Sequence, residues 1–172
     1  GFNSATAAGD GENTFMGYRS GLNNSTGTLN TFIGKQAGQA NTTGVSNTYV
    51  GRTSGILSTG SDNSFFGLNG GSANTSGSRN TYLGRGAGSS GISTGSDNIL
   101  LGYNVNPATD VSNVMMLGNA IYATTQNNIT TSAVGIGTIT PARKLHVQGE
   151  ARITDLTTDT PTGIVGADAD GD

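Results

Sequence analysis

The chain is 172 residues long, with a formal net charge of −3, 11% charged residues, 29 glycines and no cysteine. The balance is not basic, so nucleic acid is not an expected partner; without cysteine, disulfides and thiolate metal sites are excluded and the compartment is left open. No apolar run approaches bilayer-spanning length, so membrane insertion is not expected, and the small net charge removes the second condition for reading so weakly apolar a chain as disordered.

From its first residue the chain reads as part of a repeat. Asn recurs at positions 13, 30, 47, 63, 80, 98 and 113, at spacings of 17, 17, 16, 17, 18 and 15 residues. Gly1 fits a Gly position of a coil whose opening Asn would lie upstream, so the chain is expected to be a piece of a longer protein, and a missing secretion signal carries no weight. The units open NTFMG (Asn13), NTFIG (Asn30), NTYVG (Asn47), NSFFG (Asn63), NTYLG (Asn80), NILLG (Asn98) and NVMMLG (Asn113). A second Gly follows at Gly21, Gly38, Gly55, Gly71 and Gly88, and a third at Gly27, Gly44, Gly60, Gly77 and Gly95. Length varies mainly between the second and third, which marks that stretch as an adjustable corner.

A unit with three or more glycines and no 3.6-residue apolar stripe cannot sustain a helix. The period instead predicts an all-β chain of parallel β-solenoid repeats, about 17 residues per coil, because units too small to bury their own apolar face must stack. Corner glycines are expected at Gly17, Gly34, Gly51, Gly67, Gly84 and Gly102, where the chain needs positive φ or close backbone approach. At ~4.8 Å per coil the stack would be roughly 35 Å long. Like residues then form ladders: one of Asn, and one of Thr14, Thr31, Thr48 and Thr81.

Two residues after each Asn comes Phe15, Phe32, Tyr49, Phe65, Tyr82, Leu100 or Met115, and after that Met16, Ile33, Val50, Phe66, Leu83, Leu101 or Met116. Neighbouring strand residues point to opposite faces, so both faces of this strand are apolar. A single-layer solenoid has one inside, and an apolar second face on every coil marks an interface. Phe15, Phe32, Tyr49, Phe65 and Tyr82 with Ile33, Val50, Phe66 and Leu83 are therefore the expected core and self-association ladder.

The period fades after Asn113. Ala120 to Ser132 is polar and reads as a transition; Val134 and Ile136, then Leu145 and Val147, alternate with glycines or polar residues about Pro141, as in two short strands. The expected organisation is head repeats over 1–126, a β-rich neck or shaft over 127–156 and an extended acidic continuation over 157–172.

Two resemblances follow from these motifs. Over roughly Gly1 to Asn119 the repeat resembles a lengthened form of the head repeat of trimeric autotransporter adhesins of the YadA kind, whose strands end in Ile-Gly or Val-Gly. That implies a left-handed parallel β-roll assembled as a homotrimer. Gly135-Ile136-Gly137, Pro141 and Lys144-Leu145-His146-Val147 are similar to a module common in phage-type tail fibres and long bacterial surface proteins. There it often precedes a C-terminal endosialidase-type intramolecular chaperone. Such a domain is not in this sequence, and the resemblance implies that it was cleaved or lies beyond Asp172.

Candidate chemistry is sparse. His146 is the only histidine and has no Ser or acid at motif spacing, so it reads as an exposed strand residue, and no catalytic residue is named. Asp168, Asp170 and Asp172 alternate like calcium-loop oxygens, but the later ligands are missing; no metal and no cofactor is expected. Asp62 and Asp97 read as corner-turn residues. Tyr18, Lys35, Arg52, Leu68, Arg85 and Tyr103 stand five residues after each Asn, with Arg19 adjacent. Stacking aligns them into a basic and aromatic stripe that suits surface glycan or, more simply, keeps the rod soluble and blocks edge pairing. The Thr ladder raises an ice-binding surface, which Ser64, Ile99 and Val114 interrupt. Asn-x-Ser/Thr triplets at Asn24, Asn41, Asn74 and Asn128 are read as chance in so Asn- and Thr-rich a chain. The sequence thus points away from an enzyme and towards a structural segment of an extracellular trimeric fibre, tail fibre or surface filament. A glycan-binding adhesin module is the alternative.

Overall fold

The computed structural model describes residues 12–118, 120–124 and 133–149. Among them ten short strands form one sheet in chain order, with no helix. Seven belong to the repeats: β1 (Thr14–Met16), β2 (Thr31–Ile33), β3 (Thr48–Val50), β4 (Ser64–Phe66), β5 (Thr81–Leu83), β6 (Ile99–Leu101) and β7 (Val114–Leu117). Each pairs in parallel with the next, Phe15 opposite Phe32 opposite Tyr49 and onward, so the sequence period is the length of one coil. The protein is a β-solenoid of about six turns, with one three- or four-residue strand per coil and turns for the remainder.

The middle residue of each strand points inward. Phe15, Phe32, Tyr49, Phe65 and Tyr82 are buried and stack with ring centroids 4.7 to 4.9 Å apart and planes within 10° of parallel. That spacing is the inter-strand distance itself: the backbone ladder sets the ring separation, and Leu100 and Met116 continue the column.

Beside the rings runs the expected Asn ladder, from Asn13 to Asn98. Asn47 is fully buried; its Nδ2 donates to the Gly60 carbonyl at 2.9 Å and its Oδ1 accepts from the Asn63 backbone N–H at 3.0 Å. Asn30, Asn63 and Asn80 repeat both contacts. The ladder therefore bonds mainly from amide to backbone, with one direct amide contact from Asn47 Nδ2 to Asn30 Oδ1 at 3.1 Å.

Three readings of the sequence change. Asn113 is not the seventh rung: β7 aligns Met115 with Ile99 and Met116 with Leu100, so Val114 fills the slot and its N–H donates to Asn98 Oδ1. Met116 faces inward and Met115 outward, the reverse of the expected order. The shift is visible in hindsight, because Gly118 stands five residues after Asn113 rather than four. The stretch read as a transition contains a four-residue strand, β8 (Ile121–Thr124), which turns back antiparallel onto β7. Beyond it β9 (Ala133–Ile136) pairs antiparallel with β8, and β10 (Leu145–Val147) pairs parallel with β9.

The triplets at Asn24, Asn41 and Asn74 are not chance either. Together with Ser58 they make a second buried ladder at the far corner: Asn41 Nδ2 donates to Asn24 Oδ1 at 2.8 Å, and Asn74 Nδ2 to Ser58 Oγ at 2.9 Å. Asn41 and Asn74 thus each donate to the side-chain oxygen of the preceding rung. Where the following rung is not Asn, the Oδ1 lacks its donor, and Asn41 (before Ser58) and Asn74 (before Ile92) are those with an unpaired Oδ1. The same interruption strands a tyrosine. Tyr49 donates its hydroxyl to Ser58 at 2.8 Å, whereas Tyr82, whose coil carries the apolar Ile92, has a buried hydroxyl with no partner.

Two pairs of substitutions test this account. Gly51 has φ of +136° and an added Cβ would lie 2.4 Å from the Gly67 carbonyl of the next coil, while Gly118 has φ of +58° and open space. Gly51→Ala should cost on the order of 3 kcal/mol or prevent folding, and Gly118→Ala about 1 kcal/mol, read by urea unfolding. Tyr49→Phe should cost about 1 kcal/mol through the lost hydrogen bond, whereas Tyr82→Phe should be neutral or stabilising, since it removes a buried hydroxyl that nothing satisfies.

Candidate interaction surface

Residues flanking each inward side chain point outward, and strand pairing fixes which share a column. One column runs Met16, Ile33, Val50, Phe66, Leu83, Leu101 and Leu117, then crosses β8, β9 and β10 through Ile121, Ile136 and Val147. All ten members are apolar. The neighbouring column begins as hydroxyls, Thr14, Thr31, Thr48, Ser64 and Thr81, and turns apolar at Ile99, Met115, Ala123, Val134 and Leu145. Of the expected ladder, Phe15, Phe32, Tyr49, Phe65 and Tyr82 form the core, Phe66 and Leu83 are exposed, and Ile33 and Val50 are half-buried.

Ten strands at ~4.8 Å make this face roughly 43 Å long. One full column and half of the next give an apolar area on the order of 300 Å², the lower end of the size at which exposed apolar patches mark contact sites. Among the described residues nothing covers Met16, Leu83, Leu101 or Leu145, the last of them 60% exposed.

The corner glycines expected at Gly17, Gly34, Gly51, Gly67, Gly84 and Gly102 end the strands, all with φ between +131° and +139°. They turn the chain into the basic and aromatic stripe. Backbone bonds join its rungs: the Gln36 N–H donates to the Tyr18 carbonyl, Thr53 to Lys35, Asn69 to Arg52, Gly86 to Leu68 and Asn104 to Arg85. Tyr18 is 63% and Tyr103 64% exposed. Arg19 lies over the Tyr18 ring at 5.2 Å, with Lys35 at 5.9 Å from it, and Arg85 lies over Tyr103 at 5.6 Å. The stripe is thus assembled as the spacing predicts, along one edge of the apolar face.

The opposite edge is the column just before the strands: Glu12, Leu29, Ser46, Asp62, Arg79, Asp97 and Asn113. From Leu29 onward every one has φ near +60°. Asp97 does not serve its own corner, as the sequence suggested; its carboxylate takes a two-pronged hydrogen bond from Arg79, at 2.7 and 2.8 Å, which holds that carboxyl below its usual range.

His146 is half-buried rather than exposed, lies opposite Gly135 on the inward column, and accepts the Ala142 backbone N–H on Nδ1 at 3.1 Å. Among the described residues no three of His, Cys, Asp and Glu come together, and no helix is long and apolar enough to cross a membrane. Asp168, Asp170, Asp172 and Asn128, with the acidic continuation of 157–172, lie outside the described residues. No family model, curated protein or solved structure matches the chain.

One carboxylate is strongly perturbed. Asp110 accepts from the backbone N–H groups of Ser93, Thr94 and Gly95 and from both the Ser93 and Thr94 hydroxyls. Four coils earlier the corresponding N–H groups of Ser25, Thr26 and Gly27 all donate to the Thr42 carbonyl of the next coil. Asp110 therefore stands in for a missing carbonyl and caps the corner. Desolvation pushes its pKa up, but the hydrogen bonds from Thr94, then Gly95 and Ser93, outweigh that and hold it at about 2. A carboxylate depressed in the folded state stabilises the fold above its unfolded pKa, ~3.9, and that contribution is lost as pH falls towards about 2. Thermal unfolding followed across that window should show stability dropping with acid, and Asp110→Asn should reduce the slope, leaving the smaller share that Asp97 supplies.

Proposed function

We propose that the chain is a structural segment of an extracellular homotrimeric fibre, a tail fibre or surface filament, which stiffens or projects the assembly. The observation that carries this reading is the unbroken outward apolar column from Met16 to Val147, which continues past the last repeat into β8, β9 and β10. A single chain gains nothing by keeping that column apolar. Three chains packed about a common axis remove it from water, and axial backbone bonds give the stack its stiffness. The function is mechanical in this reading, without a catalytic residue, and the resemblances to adhesin head repeats and tail-fibre modules point the same way.

A second reading, a glycan-binding adhesin module, is favoured by the exposed Tyr18 and Tyr103 beside Lys35, Arg52 and Arg85. One experiment separates the two. Light scattering on a sizing column should give three times the 17.2 kDa chain mass. Phe66→Asp with Leu83→Glu, both on the outward face, should return a folded monomer with an unchanged circular dichroism spectrum. A well-folded wild-type monomer sinks the fibre reading and leaves the single-chain solenoid with a ligand-binding edge in its place.

A further inference from the structure

The two edges of the apolar face carry opposite charge. The edge after the corner glycines holds Lys35, Arg52 and Arg85 and no acid. The edge before the strands holds Glu12, Asp62 and Asp97 with a single cation, Arg79, which Asp97 already occupies. Arg79 and Asp97 are bridged on the acidic edge itself, whereas Lys35, Arg52 and Arg85 on the basic edge have no acidic partner among the described residues. In a protein of net charge −3 this is segregation, not an excess of base.

Segregated edges distinguish the ways in which copies can meet. Rotation about the stacking axis, by any angle that closes a ring, brings the ends of one copy's strands to the starts of its neighbour's. The acidic edge of one copy then meets the basic edge of its neighbour. Rotation about an axis along the strands turns one stack upside down and sets acid against acid and base against base. The apolar face alone cannot choose between these, because it is apolar along its whole length. The edges can: exposed ion pairs add little attraction, but like charges set against each other are a strong bar to the wrong arrangement.

The rungs also match. In the fourth coil the acidic edge carries Asp62 while the basic edge carries Leu68, the one position between Arg52 and Arg85 without a charge. A neighbour rotated about the stacking axis at the same height places its Asp62 beside Leu68, one rung, ~4.8 Å along the axis, from Arg52 on one side and from Arg85 on the other. Asp97 falls opposite Tyr103, one rung from Arg85, and the one cation of this edge, Arg79, falls opposite Arg85 with its charge already met by Asp97.

We propose that the basic edge of one copy pairs with the acidic edge of the next, with Asp62 seated between Arg52 and Arg85, and that this pairing makes the assembled chains run with parallel axes. The inference rests on the self-association proposed above and specifies its polarity. Its partner is a second copy of this chain.

The test uses the full chain at low ionic strength, with mass by light scattering and orientation by distances between nitroxide labels at Asn23→Cys, clean here because the chain has no other cysteine. Arg52→Glu with Arg85→Glu should weaken association at least tenfold, and adding Asp62→Arg to that chain should restore it, because each edge then again meets its opposite. High salt should blunt both effects. Labels on the wild type should lie close together at one end of the assembly. An oligomer indifferent to the charge changes, a triple variant that stays dissociated, or labels separated by the length of the stack overturns the edge pairing and leaves the proposed fibre standing. A wild-type monomer overturns both.

Discussion

The fold depends on a buried amide that spans two coils. An Asn at the start of each strand uses its donor on one carbonyl and its acceptor on the next coil's N–H, so an inward-facing polar side chain satisfies backbone groups that a turn of this tightness leaves without partners. No apolar residue could do this. The backbone ladder sets how far apart consecutive coils stand, the amide is long enough to bridge that distance, and the aromatic column, the corner glycines and the outward face all inherit it. Where the ladder ends, at Val114, the parallel stack ends too: the next strand turns back antiparallel.

Packing and polarity divide the work. The stacked rings remove apolar area from water with no void between rungs, while the two amide ladders on either side fix the register that lets the rings stack. A sheet of strands only three residues long has little register of its own. Here side chains specify register at every step of the first ladder and a second time between Asn24 and Asn41 and between Ser58 and Asn74, and the imperfections occur where a rung is substituted. The unpaired Oδ1 atoms of Asn41 and Asn74 and the stranded hydroxyl of Tyr82 all trace to Ser58 or Ile92 occupying an amide position.

Much of this was legible from the sequence because a period is a collective signal. The parallel solenoid, the inward aromatic column, the outward apolar face, the corner glycines and the aligned basic stripe all follow from reading one unit and stacking it. What failed was local. Asn113 matched the motif's first letter, but register follows the Gly that closes the strand, and Gly118 placed Val114 in the slot instead. The second amide ladder was missed because Asn24, Asn41 and Asn74 lie in the stretch of variable length, where the shared period is blurred by insertions. Strand β8 was missed because Ile121–Thr124 is too short to show alternation and takes its conformation from β7. The acidic edge escaped notice for a different reason: its column mixes charged, apolar and polar residues, and only the stack shows that they share an edge.

The second ladder also has a bearing on biosynthesis. Asn24, Asn41 and Asn74 each open a triplet of the kind to which oligosaccharide is transferred, and each is buried in the finished coil with its amide nitrogen committed to a neighbour. A sugar attached there before the coil closes fills the space that the next rung requires. Glycosylated chain and stacked solenoid are therefore exclusive states, and the fold requires these asparagines to stay bare until the coils have closed over them.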